Sequence, residues 1–252
     1  MYFDTHAHYD DKKFSDERDG LLGSMTAGGV SLILNAGSSM RSSVSSVQLA
    51  DQYPFVYASI GVHPHAAKSM TDESVAELEK LLSHPKAMAV GEIGLDYHYD
   101  FSPRDVQKAR FREQLELARH LKKPVIIHER EALHDTLETV SDFRDLSGVF
   151  HCFSESWEIA KTIIDMGWYL SFTGVITYKN ARRALEVLEK APADRIMLET
   201  DCPYMAPEPL RGTLNSSLNL PHIAVKIAEV RGITTEEAAA LTMENGRRFF
   251  RI

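Results

Sequence analysis

Only two cysteines, Cys152 and Cys202, occur in 252 residues, so no disulfide framework is implied and a reducing compartment fits. No apolar run approaches the roughly 18 residues of a membrane span, and the start MYFDTHAH lacks the basic flank and apolar stretch of a signal peptide. A cytoplasmic protein without membrane association is the expectation. Positive charge is also short: 28 Lys and Arg stand against 36 Asp and Glu, a formal net charge of −8. That balance excludes a protein that coats nucleic acid by broad electrostatics, since phosphate binding of that kind needs a basic surface. It does not exclude a nuclease, in which local cations and bound metal attract the substrate. No linker, low-complexity tract or charge block interrupts the chain. Its length is that of one (β/α)8 barrel, so a single domain over residues 1–252 is expected.

Short β-rich apolar runs alternate with longer amphipathic stretches. The runs predict strands at Tyr2–His8, Val30–Ala36, Val56–Val62, Met88–Ile93, Val125–His128, Val149–Cys152, Trp168–Thr173 and Ile196–Asp201. Helical periodicity is clearest over Arg104–Leu121, where Val106, Ala109, Phe111, Leu115, Ala118 and Leu121 make one apolar stripe. It is also present at Thr71–Leu82, Trp157–Met166, Lys179–Lys190, Pro221–Arg231 and Thr234–Phe249, the last opened by Thr234 and Glu237 at capping-box spacing. The strand ends His8, Asn35, His63, Glu92, His128, His151, Thr173 and Asp201 are separated by 27, 28, 29, 36, 23, 22 and 28 residues. A βα unit takes about 30 residues, so eight of them predict an α/β fold of the (β/α)8, or TIM-barrel, type. A doubly wound open sheet is the competing architecture.

Five of the eight predicted strands finish in histidine or a carboxylate: His6-Ala7-His8, Glu92, His128, His151 and Asp201. In a barrel all parallel strands end on one face, where active sites are built. Alternation along a strand points His6 and His8 to the same side. Four imidazoles and two carboxylates, with no thiolate, suit borderline divalent cations. Two such ions activate water and stabilise a displaced oxyanion. Glu92 lies in an apolar strand, where an unpaired carboxylate is costly. Alternation points Cys152 and Cys202 away from these side chains, and His84, His98, His120, His134 and His222 read as surface or structural.

The blocks GVHPH (Gly61–His65), GEIGLDY (Gly91–Tyr97), PVIIHER (Pro124–Arg130), HCFSE (His151–Glu155) and LETDCPYMAP (Leu198–Pro207), with HxH on the first strand, resemble the signature blocks of the TatD family of metal-dependent deoxyribonucleases. The resemblance spans essentially the whole chain. It implies an amidohydrolase-type barrel, two divalent ions (Zn²⁺, Mn²⁺ or Mg²⁺) and hydrolysis of phosphodiester bonds at DNA ends, in a 3′→5′ exonuclease-type reaction. By motif matching, His6, His8 and Asp201 hold one ion, His128 and His151 the other, and Glu92 bridges them. Glu92 and Asp201 are the catalytic candidates, Asp201 as proton acceptor from water. His63, His65 and Arg130 are the substrate-contact candidates. DNA is the expected substrate and a monomer the expected state.

Two positions depart from the family pattern. Glu155 stands where a glycine is usual, and Asn215-Ser216-Ser217 lacks a usual proline. Neither is an expected ligand, but the first adds a negative charge and the second bears on the last βα loop. The alternative activity is two-metal hydrolysis of another bond, such as an aminoacyl ester, amide or lactone, because the fold hosts many chemistries. A non-catalytic binding module would require lost ligands, and none is seen.

Overall fold

A computed structural model describes all 252 residues. Eight strands form one sheet in chain order: β1 (Tyr2–Ala7), β2 (Val30–Ala36), β3 (Val56–Ile60), β4 (Ala87–Asp96), β5 (Val125–Arg130), β6 (Gly148–Phe150), β7 (Tyr169–Phe172) and β8 (Ile196–Leu198). Nine helices accompany them: α1 (Arg18–Ser24), α2 (Met40–Gln52), α3 (Ser74–Leu82), α4 (Arg104–Leu121), α5 (Leu133–Ser141), α6 (Trp157–Asp165), α7 (Arg182–Lys190), α8 (Leu220–Arg231) and α9 (Thr235–Phe250). The first strand meets the chain leaving the last one. Ala7 pairs in parallel with Cys202, the Asp201 N–H donates to the His6 carbonyl at 2.9 Å, and the His8 N–H donates to the Cys202 carbonyl at 2.8 Å. Helix-joined strands in sequential order, the first lying beside the last, make the predicted (β/α)8 barrel. No helix is long and apolar enough to cross a membrane.

Residue contacts divide the chain into two compact units, one of Met1–Leu34 with Cys152–Ile252 and the other of Asn35–His151. In the second unit β3, β4, β5 and β6 pair in parallel. Their apolar faces are fully buried at Ile60, Ala89, Val90, Ile93, Val125 and Ile127. Helix α4 has the predicted bounds, and Phe111, Leu115 and Ala118 of its stripe are buried. Two glutamines on the same helix are buried as well. The Gln114 side chain accepts from the Val62 N–H (2.7 Å) and donates to the Val62 carbonyl (3.0 Å). Gln107 does the same for Asp96, at 2.9 and 3.0 Å. Each amide bonds both backbone groups of a residue at a strand end, which fixes the loops after β3 and β4.

In the first unit β7 pairs in parallel with β8. Phe3, Leu198, Trp168, Ile223, Ile227, Phe249 and Phe250 are buried. Helix α9 opens with the predicted capping box, Thr234 and Glu237 each satisfying the other's backbone N–H. Inside α9 the Asn245 side chain donates to the Ala193 and Ile196 carbonyls, both at 2.8 Å, and thereby anchors the helix to the start of β8.

Several strand bounds shift. β4 runs on to Asp96 and β5 to Arg130, past the predicted Ile93 and His128. β8 stops at Leu198 rather than Asp201. Asp201 takes a positive φ of 55°, which strand geometry does not allow.

Candidate metal centre

In the unit of Met1–Leu34 with Cys152–Ile252, β1 delivers His6 and His8 to the same side, as alternation requires. Their Nε2 atoms lie 3.1 Å apart. Asp201 Oδ1 approaches these nitrogens to 3.8 and 3.4 Å. Beneath them Asp4, fully buried, organises the loop that carries Asp201. Its Oδ1 accepts from the Thr200 N–H at 2.9 Å, and its Oδ2 accepts from the Thr200 hydroxyl at 2.5 Å and the Ser217 hydroxyl at 2.6 Å. Burial pushes the Asp4 carboxyl up to about 7 in spite of these donors. The Tyr9 hydroxyl donates to Ser217 at 2.8 Å. Asn215 donates to the Thr200 and Tyr204 carbonyls at 3.0 and 2.6 Å. The last βα loop is thus tied by side-chain hydrogen bonds, without the proline usual in the family. Glu199, also buried, accepts from the Cys152 N–H at 2.7 Å, where Cys152 adopts φ 48°.

In the unit of Asn35–His151, three imidazoles converge on one oxygen. Glu92 Oε1 lies 2.8 Å from His128 Nδ1, 2.9 Å from His151 Nε2 and 3.4 Å from His63 Nε2. The His128 and His151 nitrogens are 3.3 Å from each other. Burial raises the Glu92 carboxyl, but charge on His151 and His63 and hydrogen bonds from His128 and His151 outweigh it and hold the group well below the usual carboxylate range. His63 goes the other way. Burial, then charge on His128, lowers it to about 4, so it is a neutral imidazole at physiological pH.

The other edge of His128 meets a residue that strand-end reasoning passed over. Asp96 Oδ2 lies 3.1 Å from His128 Nε2 and 2.9 Å from His65 Nε2, and Asp96 Oδ1 accepts from the Tyr99 N–H at 2.9 Å. Desolvation raises the Asp96 carboxyl, yet the hydrogen bonds from His128 and His65 bring it below the ordinary range. The sequence reading missed it because the predicted strand ended at Ile93; β4 runs on to Asp96, so Glu92 and Asp96, four apart on it, share a face. A carboxylate behind a ligating imidazole fixes its tautomer and ring orientation. Replacing Asp96 with Asn is therefore expected to weaken divalent-cation binding roughly 10–100-fold with little change in folding, as a metal titration beside a thermal melt reads out.

These spacings suit cation ligands. Donors that each bind one ion at about 2.0–2.2 Å lie roughly 2.8–3.6 Å from their neighbours on an octahedron or tetrahedron. The triangle of Glu92, His128 and His151, with edges of 2.8, 2.9 and 3.3 Å, matches one face of such a polyhedron. The His6–His8 edge of 3.1 Å does too. Glu92, His63 and His128 place their ligand atoms within 4.8 Å of one another.

Arg130 does not bond the adjacent Glu131, which pairs with His98 at 2.6 Å; its guanidinium lies over the Tyr99 ring, 4.9 Å from the centroid. Glu155 has Arg183 within 3.8 Å, so its charge is partly balanced.

Comparison with known proteins agrees with this chemistry. The family model described as TatD related DNase matches residues 3–251. The metal-dependent hydrolase YabD of Bacillus subtilis, itself uncharacterized, is 39% identical over 254 residues covering all of both chains. The 3′-5′ ssDNA/RNA exonuclease TatD of Cronobacter sakazakii is 36% identical, with 98% of this chain and 97% of that one covered. The crystal structure of YjjV, a TatD homologue from Escherichia coli, superposes with a TM-score of 0.93 at 29% identity, covering 100% of this chain and 98% of that one.

Proposed function

Because the chain belongs to the TatD-related DNase family of metal-dependent hydrolases, we propose that it removes nucleotides from DNA ends by hydrolysing phosphodiester bonds with two divalent cations, Zn²⁺, Mn²⁺ or Mg²⁺. The whole chain acts as one catalytic barrel in this reading. The observation that carries it is the convergence of His128, His151 and His63 on the single oxygen Glu92 Oε1.

His6, His8 and Asp201 would hold one ion and His128 and His151 the other, with Glu92 as a further carboxylate ligand. Ions so held would supply Lewis-acid activation of water and would neutralise charge developing on the phosphoryl oxygens. Asp201 takes the proton from the attacking water. Its carboxylate is suited to this because the backbone is pinned: the N–H is bonded to His6, and Thr200 beside it is clamped by Asp4. Neutral His63 presents an N–H or a lone pair to the phosphate or the leaving oxygen without adding charge. His65 and Arg130 face the same substrate, Arg130 giving a planar pair of donors that fits two phosphate oxygens. The net charge of −8 offers no long-range attraction for DNA, so recognition has to be concentrated at these few groups.

The test joins metal analysis to degradation of end-labelled DNA. Purified protein is expected to carry about two equivalents of divalent metal, to lose activity on chelation and to regain it on remetallation. Activity that survives full chelation would overturn the mechanism. Lactone or amide hydrolysis without DNA cleavage would overturn the substrate.

A further inference from the structure

The loop after β4 carries two large rings into solvent. Tyr99 and Phe101 keep 48% and 54% of their surface exposed. They form one feature: the rings stack at a centroid distance of 5.1 Å with 14° between their planes. The Arg130 guanidinium lies over Tyr99 at 4.9 Å, and the His65 ring meets Tyr99 and Phe101 edge-on at 5.3 and 4.9 Å. His65 is hydrogen-bonded to Asp96, and Asp96 to His128. The aromatic pair is therefore continuous with the imidazole cluster, within the same unit.

We propose that Phe101, backed by Tyr99, is a shelf on which an unpaired base of a single DNA strand stacks while the adjoining phosphate meets His65 and Arg130. This deepens the DNA-hydrolase reading and rests on it. Tyr99 already carries Arg130 and Phe101, so the open π-surface is that of Phe101. The carboxylates nearby are engaged: Asp100 with Arg104 at 2.7 Å, Glu131 with His98 at 2.6 Å. A chain with a net charge of −8 gains little from distant phosphates, whereas a ring face attracts any base irrespective of sequence and of protein charge. A base inside a duplex has both faces covered by its neighbours. The shelf thus selects frayed or single-stranded ends.

The experiment measures binding of the metal-loaded protein to two hydrolysis-resistant phosphorothioate oligomers of equal length, one of thymidine and one abasic. Wild type is expected to bind the thymidine oligomer about tenfold more tightly. Phe101→Ala and Phe101→Leu are expected to erase that preference, and Phe101→Trp to retain it. The leucine variant separates ring stacking from simple apolar contact. Equal binding of both oligomers by a wild-type enzyme that still degrades DNA would overturn the shelf and leave the hydrolase reading standing. So would a preference that persists in Phe101→Leu, or a Phe101→Ala variant that changes only self-association. Failure to bind either oligomer, together with failure to cleave DNA, would overturn the hydrolase reading and the shelf with it.

Discussion

Glu92→Gln is expected to lower kcat/KM on end-labelled DNA by roughly 10³–10⁵-fold while leaving the melting temperature within a few degrees. The substitution keeps the shape of the side chain and removes only its charge. Glu92 is buried, and its Oε1 is the atom on which His128, His151 and His63 converge. A neutral amide is a far poorer ligand for a divalent ion, so if Glu92 ligates as proposed, its loss would be felt directly in metal binding. Metal content should fall from two equivalents toward one or none, read by elemental analysis of the same preparation used for kinetics. The apo fold should tolerate the change, because the amide oxygen can still accept from His128 and His151, and the smaller desolvation cost of a neutral group offsets part of the lost attraction to the imidazoles. A Gln variant that keeps two ions and a tenth of wild-type activity would remove Glu92 from the centre.

What could be read from the sequence follows from how each residue does its work. The strands were legible because buried parallel strands are runs of Val, Ile and Leu. Helix α4 was legible because its apolar stripe stands among charges, and α9 because Thr234 and Glu237 form a local, spaced cap. The family blocks and strand ends named residues that the structure gathers in two sets, His6 with His8 and Asp201, and Glu92 with His128, His151, His63 and His65. Helix α2 gave no such stripe. It packs through Ser42, Ser43 and Ser46, whose hydroxyls bond locally or, for Ser43, the Gly61 carbonyl. Small polar residues that bury by hydrogen bonding leave no hydropathy signal. Asp96 was hidden for a related reason: its partners, His128 and His65, lie 32 and 31 residues away in sequence. Arg130 was named as a substrate-contact candidate, and its contact with Tyr99 was not foreseen because it depends on a loop path that no local pattern encodes. Asp201 ended a predicted strand only because hydropathy does not report φ. The positive φ there is imposed by long-range bonds to β1 and to Asp4 through Thr200.

The extension of β4 past Glu92 leads to the largest expected effect on stability. Gly94 stands midway between Glu92 and Asp96 and pairs with His128 on β5. Its φ is +144°, and a Cβ added there would lie 2.0 Å from the His128 carbonyl oxygen and 2.9 Å from its carbonyl carbon. Those are backbone atoms of a strand interior, so no side-chain rotation relieves the clash. Gly94→Ala must push β4 away from β5 at the level where Glu92 and Asp96 grip the two edges of the His128 ring. Combining the strained φ with overpacking, a loss of about 3–5 kcal/mol is expected. Activity should be lost even at temperatures where the variant remains folded, because His128 moves with its backbone. Gly167→Ala supplies the contrast. Gly167 also has a positive φ, +83°, but nothing lies within 4 Å of a Cβ placed there, so only conformational strain of about 1 kcal/mol is expected. Urea unfolding of both variants, with DNA hydrolysis measured below their transitions, separates close strand approach from simple glycine preference. Equal destabilisation of the two would mean that Gly94 is required for its φ alone and that β4 and β5 have room to spare beside the centre.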